Sequence, residues 1–384
     1  MLTSSINFKI FKNKKFDKKI KKNLESLLKE KNSVINSLTK NYKNSYESKK
    51  VRSLQKNVDI RIIGMGGSIL GAQAIYDFLK KKIKKKIQFI DNLEDISDKK
   101  SKNKLLNLIV SKSGNTLETI TNVNILVKKE NRNIFITEKK ESYLSTLAQK
   151  LKGEIIHHNN FIGGRYSVLS EVGMIPAELM GLEPKKFKQL DQLIKNKNFL
   201  NTLVLNVSSI LNLSKNKKYN SIIINYDPMA ENLFAWYQQL VAESLGKKGK
   251  GILPIISNMP KDNHSVMQLY LDGLRNNFFT FFFTKEKKSS KIINNNLLSS
   301  FKFLKHKNIN QINEAQKSAT ENIFIKKNIP FRSFEIKERN EKTLGELFCF
   351  FILETILLGK ALNVNPYDQP SVELIKVETK KILI

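Results

Sequence analysis

The chain has 384 residues, 40% of them hydrophobic, and 67 Lys and Arg against 35 Asp and Glu give it a formal charge of +32. That length supports a real core and, by size, two domains. A single cysteine, Cys349, excludes an internal disulfide, and no stretch reaches the roughly 18 apolar residues that a membrane-spanning helix needs. The opening MLTSSINFKIFKNKKF lacks the apolar stretch of a secretory signal, so a cytoplasmic location is expected. The charge would suit a nucleic-acid or membrane-surface binder, but such sites lean on Arg interleaved with aromatics, and here Lys dominates and is spread over the whole chain. Runs such as Lys80-Lys81-Lys82-Ile83-Lys84-Lys85-Lys86 read as solvated surface, and neither nucleic acid nor membrane is expected as a partner.

Residues 1–55 are Lys/Asn-rich and read as an N-terminal helical segment of one or two surface helices. From Asp59 onward, apolar runs of strand length alternate with helical stretches: IRIIGMG, KIQFIDN, LLNLIVSKSG, NIFITE and EIIHHN. That alternation marks a parallel sheet wrapped by helices. A helical segment, KQLDQLIKNKNFLNTLVLNVSSILNLSKN, separates it from a second series, SIIINYD, GILPIIS and FFTFFFT. The run LFCFFILETILLG is too short to span a membrane and reads as a buried helix, with Cys349 a small buried hydrophobe. The predicted class is α/β: two domains, 56–200 and 201–384, each a mostly parallel sheet flanked by helices, the second carrying a C-terminal helical region.

Two loops carry ligand chemistry. Gly64-Met65-Gly66-Gly67-Ser68 follows a strand and opens a helix, where glycines allow close backbone approach and the helix N-terminus favours an anion. Gly67 and Ser68 are the candidate contacts. A dinucleotide turn competes, with Asp91 at the end of the next strand as its ribose acid, but Ile69 stands where the third glycine of G-x-G-x-x-G belongs. Taken alone, this loop leaves phosphosugar, dinucleotide and purely structural readings open. The second loop, Ser111-Lys112-Ser113-Gly114-Asn115-Thr116, presents three hydroxyls before another helix. Helix capping needs one such residue, whereas a phosphate dianion, which offers only acceptors, suits several. This S-x-S-G-N-T loop resembles the phosphate loop of the sugar isomerase (SIS) fold. The resemblance implies SIS-type domains and a phosphosugar ligand held by Ser111, Lys112, Ser113 and Thr116, but not by itself catalysis.

Three further segments stand in order along the chain: GGRYSVLS (163–170), QLVAESLGK (239–247) and DQPSVELIK (368–376). With the two loops they resemble the glucose-6-phosphate isomerase family (phosphoglucose isomerases), over roughly residues 60 to 380. The resemblance implies a cofactor-free and metal-free aldose–ketose isomerase. Its substrates would be glucose 6-phosphate and fructose 6-phosphate, interconverted by ring opening and a cis-enediolate.

The same resemblance assigns roles. Glu243 would be the base acting on the C–H protons; by pattern alone it is a solvated helical Glu pairing with Lys247 four residues on. Arg165, permanently charged, would stabilise the enediolate oxygen. His264, in KDNHSV, would open the ring, histidine being the side chain that gives and takes a proton near neutral pH. Lys376 would assist at the ring oxygen, Gln369 would hold phosphate, and Gln239 and Glu118 would contact or support the sugar. A homodimer is implied, with His264 reaching the partner's site. His157, His158 and His306 are expected to be surface or structural residues, without acidic or Cys neighbours at metal-ligand spacing.

The chain departs from the family pattern in a shorter N-terminal portion, in Ile375 where Gly is common, and in Glu171 where a small residue is usual. Rival readings are a non-catalytic SIS sensor, which has no reason to keep Arg165, Glu243, His264 and Lys376 together, an isomerase also acting on mannose 6-phosphate, an NAD(P)-dependent oxidoreductase, and a basic nucleic-acid-binding protein.

Overall fold

Two five-stranded sheets organise the chain in the computed structural model, which describes residues 1–12, 16–54, 58–95, 104–286, 288–293 and 297–384. The first sheet comprises β2 (Val58–Gly64), β3 (Ile87–Ile90), β4 (Lys104–Val110), β5 (Arg132–Glu138) and β6 (Glu154–His158), in spatial order β3-β2-β4-β5-β6 and parallel throughout. The central strands are near-continuous apolar runs because helices cover both faces of such a sheet; Ile60, Ile62, Ile63, Leu106, Leu108, Ile109 and Val110 are all buried. After β2 the chain moves outward to β3 and then returns to β4 on the other side of β2. Gly64 therefore sits opposite Val110, and the loops after β2 and β4 emerge side by side at the carboxyl edge. Such a reversal of strand order is where open α/β sheets place their ligands.

The second sheet contains β7 (Asn220–Asn225), β8 (Leu253–Asn258), β9 (Asn277–Thr284) and β10 (Phe331–Ile336), with β1 (Ile6–Lys9) at its edge, in the order β1-β10-β9-β7-β8. All pairs are parallel except β1 with β10. The helix Glu231–Leu245 packs against Leu70–Phe78 of the first half and Glu341–Leu362 of the second, so it lies between the sheets. The apolar run around Cys349 is a buried helix, as its composition predicts, and burial pushes the Cys349 thiol up to about 12. Among the described residues, no helix is long and apolar enough to cross a membrane.

Two elements differ from expectation. The first 55 residues are not helical throughout: Ile6–Lys9 is a strand, and the helices Lys18–Lys29, Ser33–Ser37 and Ser48–Ser53 bury Ile20, Leu24, Leu27, Val34, Ile35 and Val51. A four-residue edge strand has no signal of its own; its ladder comes from β10, about 330 residues away in sequence (Ile6 opposite Ile336). β10 itself, FRSFEI, hides behind its polar residues. Arg332 is fully buried, with Nε donating to Thr280 Oγ1 at 2.9 Å and Nη1 to Asn206 Oδ1 at 3.0 Å, and its guanidinium is ion-paired with the equally buried Glu354. Tyr237 completes the network by donating to Glu354 Oε1 at 3.0 Å. The lysine run at 80–86 is also partly engaged: Lys81 and Lys82 pair with Glu286 and Glu341 at 2.7 and 2.8 Å.

The buried pair joins strands β9 and β10 to three helices. Glu354→Gln leaves the Arg332 charge without its counter-ion and is expected to cost about 3–5 kcal/mol, read as a lower urea midpoint at unchanged slope. A loss under about 1 kcal/mol would show that the pair does not hold these elements together.

Candidate active site

A cleft of about 310 Å³ opens between the loops at the carboxyl edge of the first sheet, the Glu231–Leu245 helix and the C-terminal segment 369–376. Its floor is the pair of loops after β2 and β4, which supply Met65, Gly67, Ser68, Lys112, Ser113 and Thr116. Its wall includes Gly164 and Arg165 from the turn after β6. Gly67 has no room for a side chain, since a Cβ there would lie 2.2 Å from the Gly164 carbonyl carbon. That backbone-to-backbone contact seats the GGRYS turn directly on the first loop. Gly114 sits at φ +66°, a left-handed turn that folds the second loop back over Ser142. Ser111 is buried beneath the same loop, with its Oγ 2.9 Å from Thr116 Oγ1, and does not line the cleft. Lys112 Nζ donates to the Asn160 carbonyl at 2.8 Å and lies 3.2 Å from Glu138 Oε1.

Arg165 is 2% exposed and nearly saturated with acceptors. Its Nε donates to Ser244 Oγ at 2.8 Å, Nη1 to Gln369 Oε1 at 2.8 Å, and Nη2 to the carbonyls of Pro366 and Asp368 at 2.7 and 2.9 Å. Nη1 also lies 3.5 Å from Glu243 Oε2. The backbone carbonyl of Arg165 accepts from Trp236 Nε1 at 3.1 Å, so the residue is held at both ends. Gln239 and Glu243 are one helical turn apart on the face that lines the cleft, and Gln239 Nε2 donates to Glu243 Oε2 at 3.1 Å. Trp236, Tyr237, Leu240 and Val241 occupy the buried faces of the same helix.

Lys247 does not pair with Glu243 as the four-residue spacing suggests. Its Nζ is 2.8 Å from Asp368 Oδ1, donates to the Ser244 carbonyl at 3.2 Å, and reaches the Asn365 carbonyl as well. Lys247 and Arg165 thus clamp residues 365–369 from two sides. The hydrogen bond from Lys247 holds the Asp368 carboxyl below its usual range. Above the ordinary carboxylate pKa this tie is therefore fully present; it is lost only as pH falls through the still lower folded value.

Beyond the clamp, the helix Val372–Leu383 brings Lys376 and Glu373 to the cleft, paired at 2.6 Å. The structure therefore gathers Gly67, Ser68, Lys112, Ser113, Thr116, Arg165, Gln239, Glu243, Gln369 and Lys376 around one cavity. It does not bring His264 there. That residue is exposed in the Lys261–His264 turn after β8, the edge strand of the second sheet. Glu118 begins the Leu117–Leu126 helix and does not line the cleft. His157 and His306 are exposed, whereas His158 is buried 3.4 Å from Glu171, which also accepts from Tyr42 and from the Ser45 backbone and so ties the N-terminal segment to the Glu171–Leu179 helix. Glu138 is a lining residue that the sequence reading missed; its only signal is its place at the end of β5, next to β4.

The profile of the family described as phosphoglucose isomerase matches residues 12–384. The chain belongs to the phosphoglucose isomerase family. It is 31% identical over 350 residues to the glucose-6-phosphate isomerase of Methanocaldococcus jannaschii, covering 87% of this chain and 85% of that protein. Among solved structures, it is similar to a glucose-6-phosphate isomerase from Chlamydia trachomatis, with a TM-score of 0.74, 18% identity, and coverage of 95% of this chain and 83% of that one. It is also similar to a hypothetical protein from Thermus thermophilus, with a TM-score of 0.83, 22% identity, and coverage of 95% and 94%. The fold of a phosphoglucose isomerase thus extends over nearly the whole chain, including the segments that build the cleft.

Because Lys247 fixes the segment that carries Gln369 and leads to Lys376, Lys247→Met is expected to lower kcat/KM by about tenfold or more through misplacement alone. Thermal unfolding should move less, since Met keeps most of the largely buried Lys247 stem and the Asp368 carboxylate that loses its partner is half exposed. Wild-type kinetics in the variant would show that Arg165 alone suffices to hold the segment.

Proposed function

We infer that this chain is an aldose–ketose isomerase that interconverts glucose 6-phosphate and fructose 6-phosphate, a step of glycolysis and gluconeogenesis. The observation that carries this reading is the meeting of Glu243, buried Arg165 and the hydroxyl-rich Lys112 loop in one cleft within a chain of this family. The non-catalytic sensor reading has no observation in its favour.

The residues divide the work by chemistry. Hydroxyls of Ser68, Ser113 and Thr116, with Lys112, hold the phosphate, and Ser111 supports Thr116 from beneath. Gln369, itself bonded to Arg165 and lining the same cleft, is the further phosphate contact that the family resemblance implies. Lys376 donates at the ring oxygen and His264 takes the hydroxyl proton, which opens the ring. Glu243 then removes the C2 proton of the open aldose. The electron pair moves into a C1–C2 double bond and the carbonyl oxygen becomes an enediolate. Return of the same proton to C1, with the C2 hydroxyl proton moving to the C1 oxygen, yields the ketose. Gln239 orients the Glu243 carboxylate by its 3.1 Å hydrogen bond. Arg165 stabilises the enediolate charge, and its burial strengthens that field because little water screens it.

A homodimer belongs to the same proposal. His264 is exposed and lies off its own chain's cleft, which supports its action in the cleft of a second copy. The proposal also includes a cytoplasmic location and a division into an N-terminal segment 1–55 and domains 56–200 and 201–384. The division is supported by one sheet's strands β2–β6 preceding residue 200 and β7–β10 following it, although the helix Lys197–Lys215 runs across that point. Activity on mannose 6-phosphate, the C2 epimer, would use the same groups.

A coupled assay tests the reading: fructose 6-phosphate is supplied, glucose 6-phosphate is followed through an added dehydrogenase, and EDTA is present. Wild-type turnover is expected, with a loss of about 10²- to 10⁴-fold in Glu243→Gln while fructose 6-phosphate still binds. Tight binding without turnover in the wild type would instead favour the sensor. For the assembly, inactive His264→Ala and inactive Glu243→Gln chains are mixed after mild dissociation. Recovered activity is expected, because a hybrid dimer has one site with both groups intact; no recovery would place His264 within its own chain's site.

A further inference from the structure

Two of the three carboxylates lining the cleft, Glu138 and Glu373, have no task in the isomerisation as proposed, and only Glu138 sits beside the Lys112 loop. Glu243 stands beside Arg165 as a base, and Glu373 accompanies Lys376 on the outer helix. Glu138 instead lies at the phosphate end, with Lys112, Ser113 and Thr116. Its Oε1 is 3.2 Å from Lys112 Nζ, and its backbone N–H donates to the Lys112 carbonyl at 3.0 Å. The backbone bond follows from β5 lying next to β4, so this carboxylate is built into the loop that carries Lys112. An ammonium has three donors; the Asn160 carbonyl takes one, and Glu138 is within ion-pair distance of the same nitrogen. A phosphate dianion brings only acceptors, so it must share Lys112 with Glu138 or displace it. The two anions repel, and the Lys112 and Glu138 side chains are only 32% and 19% exposed, so solvent screens that repulsion less than at an open surface.

We propose that Glu138 sets the cleft's affinity for phosphate by competing with the ligand's phosphate group for Lys112. Its consequence for turnover rests on the isomerase reading; its effect on phosphate binding does not. A penalty borne equally by substrate, transition state and product raises KM with little effect on kcat, and it also keeps free inorganic phosphate from filling the cleft.

Glu138→Gln is close to isosteric, keeps the backbone hydrogen bond and removes the charge. Titration calorimetry with inorganic phosphate, without sugar, is expected to show about two- to fivefold tighter binding in the variant, the scale of one partly exposed charge pair. The KM for fructose 6-phosphate and the inhibition constant of phosphate should fall by a similar factor, with kcat changing less. Glu138→Ala should shift phosphate binding in the same direction if the charge is the cause. Unchanged or weaker phosphate binding in both variants, with thermal unfolding as in the wild type, overturns the proposal and leaves Glu138 as a residue that only positions Lys112. The two readings fail separately. Tighter phosphate binding in Glu138→Gln of a chain whose wild type does not isomerise fructose 6-phosphate keeps the proposal and sinks the isomerase.

Discussion

The cleft depends on a single buried guanidinium. Arg165 reaches Ser244 on the Glu231–Leu245 helix, Gln369 beside the C-terminal helix, and the carbonyls of Pro366 and Asp368, while its own backbone is held by Trp236. Three parts of the chain, around residues 165, 244 and 368, are thereby fixed to one planar fork of donors. A lysine could supply the charge but not this geometry, because its three donors radiate from one nitrogen. The fork is seated by the contact of Gly67 with Gly164, where two backbones touch with no space for a Cβ. The loop after β2, the guanidinium and the Glu243 carboxylate are therefore held together in one packed unit.

The Glu231–Leu245 helix joins this unit to the second sheet. Gln239 and Glu243 face the cleft, while Tyr237 enters the buried network of Arg332 and Glu354. Glu243 is thus anchored, nearly two turns away, to charges that are costly to bury and costly to separate. That arrangement limits the ways in which the helix can rotate or slide, and it leaves the Glu243 side chain partly open to the cleft.

The strongly basic surface does not extend into the cleft. Among the described lining residues, Lys112, Arg165 and Lys376 are each accompanied by a carboxylate, from Glu138, Glu243 and Glu373. A net positive surface attracts anions from solution, while the charges that line the cleft nearly balance. The lysine-rich composition and the cleft thus answer to different constraints, and the first says little about the second.

The alternation of apolar runs with helical stretches was enough to read most strands of both sheets, because a parallel strand covered on both faces has to be apolar almost throughout. The two loops were legible for a related reason: close backbone approach needs glycine, and phosphate needs clustered small donors, so the chemistry dictates residue types locally. The segments around Arg165, Glu243 and Lys376 were marked instead by their resemblance to the phosphoglucose isomerase family, since by pattern alone Glu243 reads as a solvated helical Glu. Other features could not be read this way. β1 has a partner only because β10 is beside it, and β10 carries an Arg that is tolerable in a core only because the following helix turns Glu354 back onto it. Lys247 sits four residues after Glu243 yet turns to Asp368, and Glu138 meets Lys112 only because β5 lies next to β4. His264 lies off the cleft of its own chain; the family resemblance, and not any spacing, implies that it reaches a partner's site. The order of residues was sufficient to say which reactive groups exist and which local turns they occupy. Which of them meet was settled by the packing of the two sheets, because charge pairs and strand pairings are contacts between segments whose separation along the chain carries no information about their distance in space.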